Sequence, residues 1–159
     1  MIRTIKGNVL NHPTGLIVHG CNCQGIMGGG VAAQIAHRWP HVEQAYIKEK
    51  VEHGLFLGTI IPVEVEPFKI IVNAITQEEG GNFHPVRSYA VDYSAVADCF
   101  ERIVDLHGQI MHTNSGRNLP IVFPQIGAGI AGGNWVIVRT IIDEIVPDSI
   151  EKIEYIYAP

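Results

Sequence analysis

Basic residues are scarce in this chain. Lys and Arg number 11 against 16 Asp and Glu, the formal net charge is −5, and no stretch gathers the basic residues into a patch. Phosphate-driven binding to nucleic acid generally needs such a patch, so direct nucleic-acid binding is not expected. Cysteine is sparse too, with only Cys21, Cys23 and Cys99. An odd count with one Cys-x-Cys pair is no disulfide framework. Structural zinc sites want Cys-x-x-Cys pairs or a Cys/His quartet at set spacing, so no metal is expected, and no cofactor. No apolar run approaches the roughly 20 residues that cross a bilayer. The opening MIRTIKGNVL alternates like a strand and lacks a signal-peptide core, so no membrane partner is expected and the cytoplasm is the expected location. Repeats, low-complexity tracts and linkers are also missing. With 47% apolar and 17% charged residues, the chain is expected to fold as one domain over residues 1–159.

What the chain does have is glycine, concentrated at two places. The first stretch, Gly15–Val31, reads GLIVHGCNCQGIMGGGV. It begins with a buried-strand run, Leu16-Ile17-Val18, and ends at Gly28-Gly29-Gly30 before an amphipathic run. A strand passing through glycines into a helix is the layout of a phosphate site. Glycine admits close backbone approach, and the helix start offers unpaired N–H groups and the positive dipole end. The second stretch follows the apolar run Leu119–Phe123 as Pro124-Gln125-Ile126-Gly127-Ala128-Gly129-Ile130-Ala131-Gly132-Gly133, and Asn134-Trp135 opens a further helix through Val146.

Between these landmarks the pattern predicts strands at Met1–Lys6, Leu57–Val65, Phe68–Ile75 and Ile150–Tyr157, and helices at Val31–Arg38, His41–His53 and Tyr89–Met111. Val42, Ala45, Tyr46 and Val51 fall near helical spacing on the second helix, and Gly54 is its natural cap. Pro62 demotes its strand to an edge or a bulge, and Glu66-Pro67 is a short turn pairing that strand with the next. Thr76–Pro85 is a long polar loop of the kind that is often functional. Alternating strands and helices predict an α/β fold, a three-layer α/β/α sandwich with a mixed, largely parallel central sheet. Ligands in such sheets bind beyond the carboxyl ends of strands. Both glycine loops follow strands and precede helices, so they belong at one sheet edge, where two cradles of backbone N–H suit a diphosphate.

Two familiar phosphate motifs fail. Neither loop has the Lys-Ser/Thr of a P-loop. Gly127-Ala128-Gly129-Ile130-Ala131-Gly132 matches GxGxxG, but it lies too near the C-terminus for the βαβ unit of a dinucleotide fold. The chain instead resembles the macrodomain family. That family's strand ending in Asn-Ala-Ala-Asn, then Gly-Gly-Gly-Val, is matched by Ile17-Val18-His19-Gly20-Cys21-Asn22 and Gly28-Gly29-Gly30-Val31 at the same spacing. Its loop Pro-x-Ile-x-x-Gly-Ile-x-Gly is matched from Pro124 to Gly132, and its Gly-Asp-Ile opening is echoed by Gly7-Asn8-Val9. The resemblance spans nearly the whole chain. The segment His19 to Gly25, with Gly7-Asn8-Val9-Leu10, Arg38-Trp39-Pro40 and Pro124-Gln125-Ile126, is most similar to the fungal type of stand-alone ADP-ribose 1″-phosphate phosphatase. A related branch that removes ADP-ribose from acidic side chains uses a Lys and an Asp, and those positions fall here near Gln77 and at Ala131.

The resemblance implies ADP-ribose binding and hydrolysis of ADP-ribose 1″-phosphate. The alternatives are a non-catalytic ADP-ribose reader, or a hydrolase acting on ADP-ribosylated protein or nucleic acid. By the same resemblance Asn8 and Val9 meet adenine, with Asn8 standing where the family has Asp, and Asn22 holds the distal ribose. Gly28, Gly29, Gly30 and Val31 line the diphosphate and distal ribose, while Gln125, Gly127, Ala128, Gly129 and Ile130 wrap the other phosphate side. Tyr157 stacks on adenine, or is simply a half-buried strand aromatic. His19 replaces the first Asn of the family pattern and is the expected catalytic residue, since an imidazole can activate water or protonate a leaving oxygen near neutral pH. The other reading of His19 is a satisfied structural histidine. Cys21 and Cys23 have no basic neighbour in sequence to make a thiolate of them, and His84 and Arg87 sit in the loop that could reach a terminal phosphate.

Overall fold

A computed structural model describes residues 1–78, 91–113, 117–128 and 132–158. Its centre is a six-stranded sheet built from β1 (Ile2–Gly7), β2 (Gly15–Asn22), β3 (Ile60–Glu66), β4 (Lys69–Gln77), β5 (Ile121–Pro124) and β6 (Lys152–Tyr157). The spatial order is β1-β6-β5-β2-β4-β3. Every neighbouring pair is parallel except β3 with β4, which form a hairpin at the edge. Pro62 lies in that edge strand, where its missing N–H costs no ladder bond on the open side.

Among the described residues four α-helices cover the sheet: α1 (Gly30–Arg38), α2 (Pro40–Glu52), α3 (Tyr93–Thr113) and α4 (Trp135–Ile145). Ile35, Trp39, Val42 and Tyr46 carry α1 and α2 onto one face, against Ile17, Cys21, Ile71, Ile75 and Val122. Val96, Cys99, Phe100 and Ile103 of α3, with Val138 and Ile142 of α4, pack on the other face against Leu16, Val18, Val72, Ala74 and Phe123. Both faces of the central strands are therefore buried, which is why they read as continuous apolar runs rather than alternating ones. The three-layer sandwich with a mostly parallel sheet is the expected architecture. Val51 departs from expectation: it is 79% exposed, because five residues past Tyr46 it lies about 140° round the helix from the face that buries Val42 and Tyr46.

The chain order makes the site. From β2 the chain turns to one side, through α1 and α2 to β3 and β4. From β5 it turns to the other side, through α4 to β6. β2 and β5 are hydrogen-bonded neighbours, so successive connections diverge there, and the crevice lies at their carboxyl ends.

Candidate functional site at the carboxyl edge of the sheet

Five parallel strands end at this edge, and the residues after them are those singled out in the sequence: Asn8 after β1, Asn22 closing β2, Gln125 after β5 and Tyr157 closing β6. The two glycine loops leave adjacent strands, and each runs into a helix N-terminus. Gly29 caps α1 without a side-chain hydrogen bond, so the first-turn N–H groups have no side-chain acceptor. Gly30 has φ +56°, and a Cβ placed there would meet nothing within 4 Å. Gly28 and Gly30 are exposed, and Gly29 and Val31 are half-buried. The first loop thus offers backbone to an open space.

Asn22 shapes that loop. Its Oδ1 accepts from Gln24 N at 2.9 Å, Ile26 N at 3.3 Å and the Tyr46 hydroxyl at 3.1 Å, and its Nδ2 donates to Ile26 O at 3.0 Å. The Tyr46 hydroxyl also donates to the Asn22 carbonyl, in a short contact. Lys50 Nζ reaches Gln24 O at 2.7 Å. One Nδ2–H of Asn22 takes no part in these bonds. Asn22 is 7% exposed, so the side chain expected to hold a ribose first of all holds the turn.

Asn8 Oδ1 accepts from Leu10 N at 2.9 Å, and its Nδ2 donates to Gln34 Oε1 at 3.2 Å. The side chain caps a short 3-10 turn, Val9–Asn11, whose Val9 is 3% exposed and packs into the core. Val9 is therefore offered to a ligand through its backbone rather than its side chain. Gln125 is exposed, Ala128 is half-buried and Tyr157 is 65% exposed. Gly127 has φ +74°, and its amide oxygen accepts from Gly133 N at 2.7 Å, closing the second loop on itself. A Cβ at Gly127 would lie 2.7 Å from Val91 Cβ. Gly127→Ala is therefore expected to cost about 1–3 kcal/mol from backbone strain alone, read as a lowered urea midpoint with an unchanged m-value. Gly129, Ile130 and Ala131 lie outside the described residues, as do His84, Arg87 and most of the loop Thr76–Pro85.

His19 requires a correction. Its side chain is on the α1/α2 side of β2, 2% exposed, with Nε2 2.6 Å from Asn73 Oδ1 on β4. Asn73 Nδ2 donates to Ile61 O at 3.0 Å, which aims Oδ1 at the imidazole and makes Nε2–H the donor. Burial lowers the His19 pKa to about 4, the Asn73 bond opposing only in part. This ring is interior and neutral. It is 2% exposed, with Nε2 engaged by Asn73 and no charge to give near neutral pH, so its second reading, a satisfied structural histidine, is the one the geometry supports. The strand position was right and the side-chain direction was not legible. Cys21, beside it, is buried with its thiol pushed up by desolvation, and burial also raises the half-buried Cys23.

Beyond Asn22, away from β5, the edge opens into a cavity of about 580 Å³ lined by Cys23, Gln24, Leu55, Phe56, Leu57 and Glu78. Cys23 N donates to both Gln77 O and Glu78 O at 3.1 Å, tying the first glycine loop to the end of β4. Sequence reading did not single out Glu78, although the polar loop containing it was flagged. It also missed Tyr46 and Asn73, which hold site residues from behind and carry no motif. Glu154 was missed as well; its only sequence signal is a carboxylate between Ile153 and Tyr155 in a predicted strand.

The sequence matches the macro domain family over residues 18–142. It is similar to an ADP-ribose 1″-phosphate phosphatase of Saccharomyces cerevisiae, 27% identical across 92% of this chain and 94% of that protein. It is also similar to a DNA ADP-ribosyl glycohydrolase of Thermus aquaticus, 30% identical across all of this chain but only 41% of that protein. The solved macrodomain of Thermus aquaticus DarG superposes with a TM-score of 0.76 at 26% identity, covering 100% of this chain and 99% of that one.

Proposed function

The chain belongs to the macro domain family, and from that premise we propose that it binds ADP-ribose along the carboxyl edge of its sheet and hydrolyses ADP-ribose 1″-phosphate to ADP-ribose and phosphate. The observation that carries this reading is the pair of glycine loops leaving adjacent strands β2 and β5, each opening a helix N-terminus. Adenine then lies toward Asn8 and Tyr157, the diphosphate between the loops, and the distal ribose over Asn22. Binding energy from the adenosine and diphosphate holds the terminal group in place for water. Water adds to phosphorus, the bond from phosphorus to the C1″ oxygen breaks, and that oxygen leaves as the ribose hydroxyl. The phosphatases among the relatives support this substrate.

One observation favours a second reading. Among the described residues, the lining of the cavity beyond Asn22 holds the Glu78 carboxylate and no basic side chain, with Lys50 held against the carbonyl of the lining residue Gln24 at 2.7 Å. A phosphate dianion is repelled there, whereas an uncharged group joined to C1″ is not. The reaction is then hydrolysis of an ADP-ribosyl conjugate, with Glu78 placed to take the proton of the attacking water. The glycohydrolase relative supports that class.

A phosphorus NMR time course with stoichiometric protein separates the two. ADP-ribose 1″-phosphate is expected to release inorganic phosphate while the diphosphate signals shift. Shifted signals without release, together with free ADP-ribose produced from an ADP-ribosylated oligonucleotide, would establish the second reading. Unperturbed diphosphate signals would remove both.

A further inference from the structure

Glu154 is an ionisable side chain in the core, 4% exposed, on a strand whose neighbours are mostly apolar. A carboxylate is costly to bury unless donors surround it. Here four donors from separate parts of the chain do so. Thr4 Oγ1 of β1 donates to Oε2 at 2.9 Å, and Arg139 Nε of α4 donates to the same oxygen at 3.4 Å. The other oxygen, Oε1, accepts from Gln125 Nε2 at 3.4 Å and, in a short contact, from the indole N–H of Trp135.

Gln125 opens the second glycine loop and Trp135 is the first residue of the helix that ends it. One carboxylate oxygen therefore binds both ends of a loop whose sides are also joined by Gly133 N to Gly127 O. The two oxygens divide the work: Oε2 faces the sheet edge and α4, and Oε1 faces the loop. We propose that Glu154 is the positioning residue of this loop, setting the place of the Gly127 backbone N–H that receives the ligand's phosphate and of the turn that Ala128 N closes on Gln125 O at 3.2 Å. The ligand part of this rests on the ADP-ribose reading above.

A carboxylate suits this place because two of its four donors, the Trp135 indole on Oε1 and the Arg139 guanidinium on Oε2, can only donate, whereas the Thr4 hydroxyl can rotate and the Gln125 amide can turn over. An amide in the same volume turns its own N–H₂ against the indole or the guanidinium. The bonds also lose their charge assistance, which roughly doubles hydrogen-bond strength. Glu154→Gln keeps the shape and removes the function. Trp135→Phe keeps the ring against Phe123, 6.1 Å away, and removes only the indole donor. Thr4→Val removes a donor from the oxygen that does not face the loop.

The test combines calorimetric titration of ADP-ribose with amide NMR of the free protein, on wild type and all three variants, below the melting temperature of the least stable. Glu154→Gln is expected to weaken ADP-ribose binding about tenfold or more, Trp135→Phe about three- to tenfold, and Thr4→Val less than about twofold. In the free protein, Glu154→Gln and Trp135→Phe are expected to move the Gly127 and Ala128 amide signals, and Thr4→Val is not. If wild type fails to bind ADP-ribose, the functional reading fails, and the amide signals still decide whether Glu154 places the loop. Unmoved signals in Glu154→Gln would overturn the proposal. So would a Thr4→Val effect as large as that of Glu154→Gln, which would mark a general effect on the fold.

Discussion

Asn22→Ala is expected to weaken ADP-ribose binding by about 100-fold while leaving a folded protein. Its Oδ1 satisfies two backbone N–H groups and one hydroxyl within a single turn. A typical net hydrogen bond is worth about 1 kcal/mol, and a buried donor left unsatisfied costs more. Three lost acceptor bonds amount to about 3 kcal/mol, which is about two decades of affinity when the bound loop must still take its native shape. The loss falls on the loop because Gln24 and Ile26 sit between β2 and α1, while the strand below is fixed by ladders on both sides. Tyr46→Phe removes one of these bonds to Oδ1 along with the contact to the Asn22 carbonyl. It should therefore show an intermediate loss, about tenfold. Calorimetric titration at a temperature where both variants are folded measures this directly. Wild-type affinity in Asn22→Ala would mean that the glycines hold the loop without it.

Acid is expected to destabilise the protein well before its carboxylates are protonated. In the unfolded chain His19 titrates at the ordinary 6.5, whereas in the fold burial lowers it to about 4. Above pH 6.5 the ring is neutral in both states and stability does not depend on it. As pH falls below 6.5 the unfolded chain binds a proton that the native state refuses, so stability drops until the folded pKa is reached. A tenfold difference in proton affinity between the two states is worth about 1.4 kcal/mol, so the loss between pH 6.5 and 4 comes to about 3 kcal/mol. That is a large part of the roughly 5–15 kcal/mol of an ordinary domain. His12 adds to it with the same sign, since burial lowers its pKa too. Urea unfolding across this range should show the slope. His19→Gln, which can still donate to Asn73, should remove most of it. If His19→Gln retained the full acid slope, the imidazole would not be the buried neutral group described. If the same variant lost turnover at unchanged ADP-ribose affinity, the correction of His19 to a structural role would be wrong.

Much of this protein was readable in order along the chain. Two apolar runs, each passing through glycines into an amphipathic stretch, were enough to place both loops at one edge of a parallel sheet, because a strand–loop–helix unit leaves its loop at the carboxyl end. Pro62 marked the edge strand, and Asn134 and Gly54 marked a helix start and a helix end. These are local rules of dihedral angle and hydrogen bonding, and they hold wherever the chain goes. The resemblance carried the ligand class from the same loops.

Tertiary structure decided what depends on which face a side chain takes. In β2, Leu16 and Val18 pack on one side and Ile17 and Cys21 on the other. Both sides are apolar, so no alternation in the sequence told which way His19 would point, and the direction turned a candidate catalyst into a buried partner of Asn73. Tyr46, Glu78 and Glu154 come to the site from α2, the end of β4 and β6. Nothing in their own neighbourhoods announces it, because each is brought in by strand order alone. Backbone geometry repeats locally and can be read from sequence. The meeting of Glu154 with Gln125 and Trp135 exists only once β6 lies beside β5.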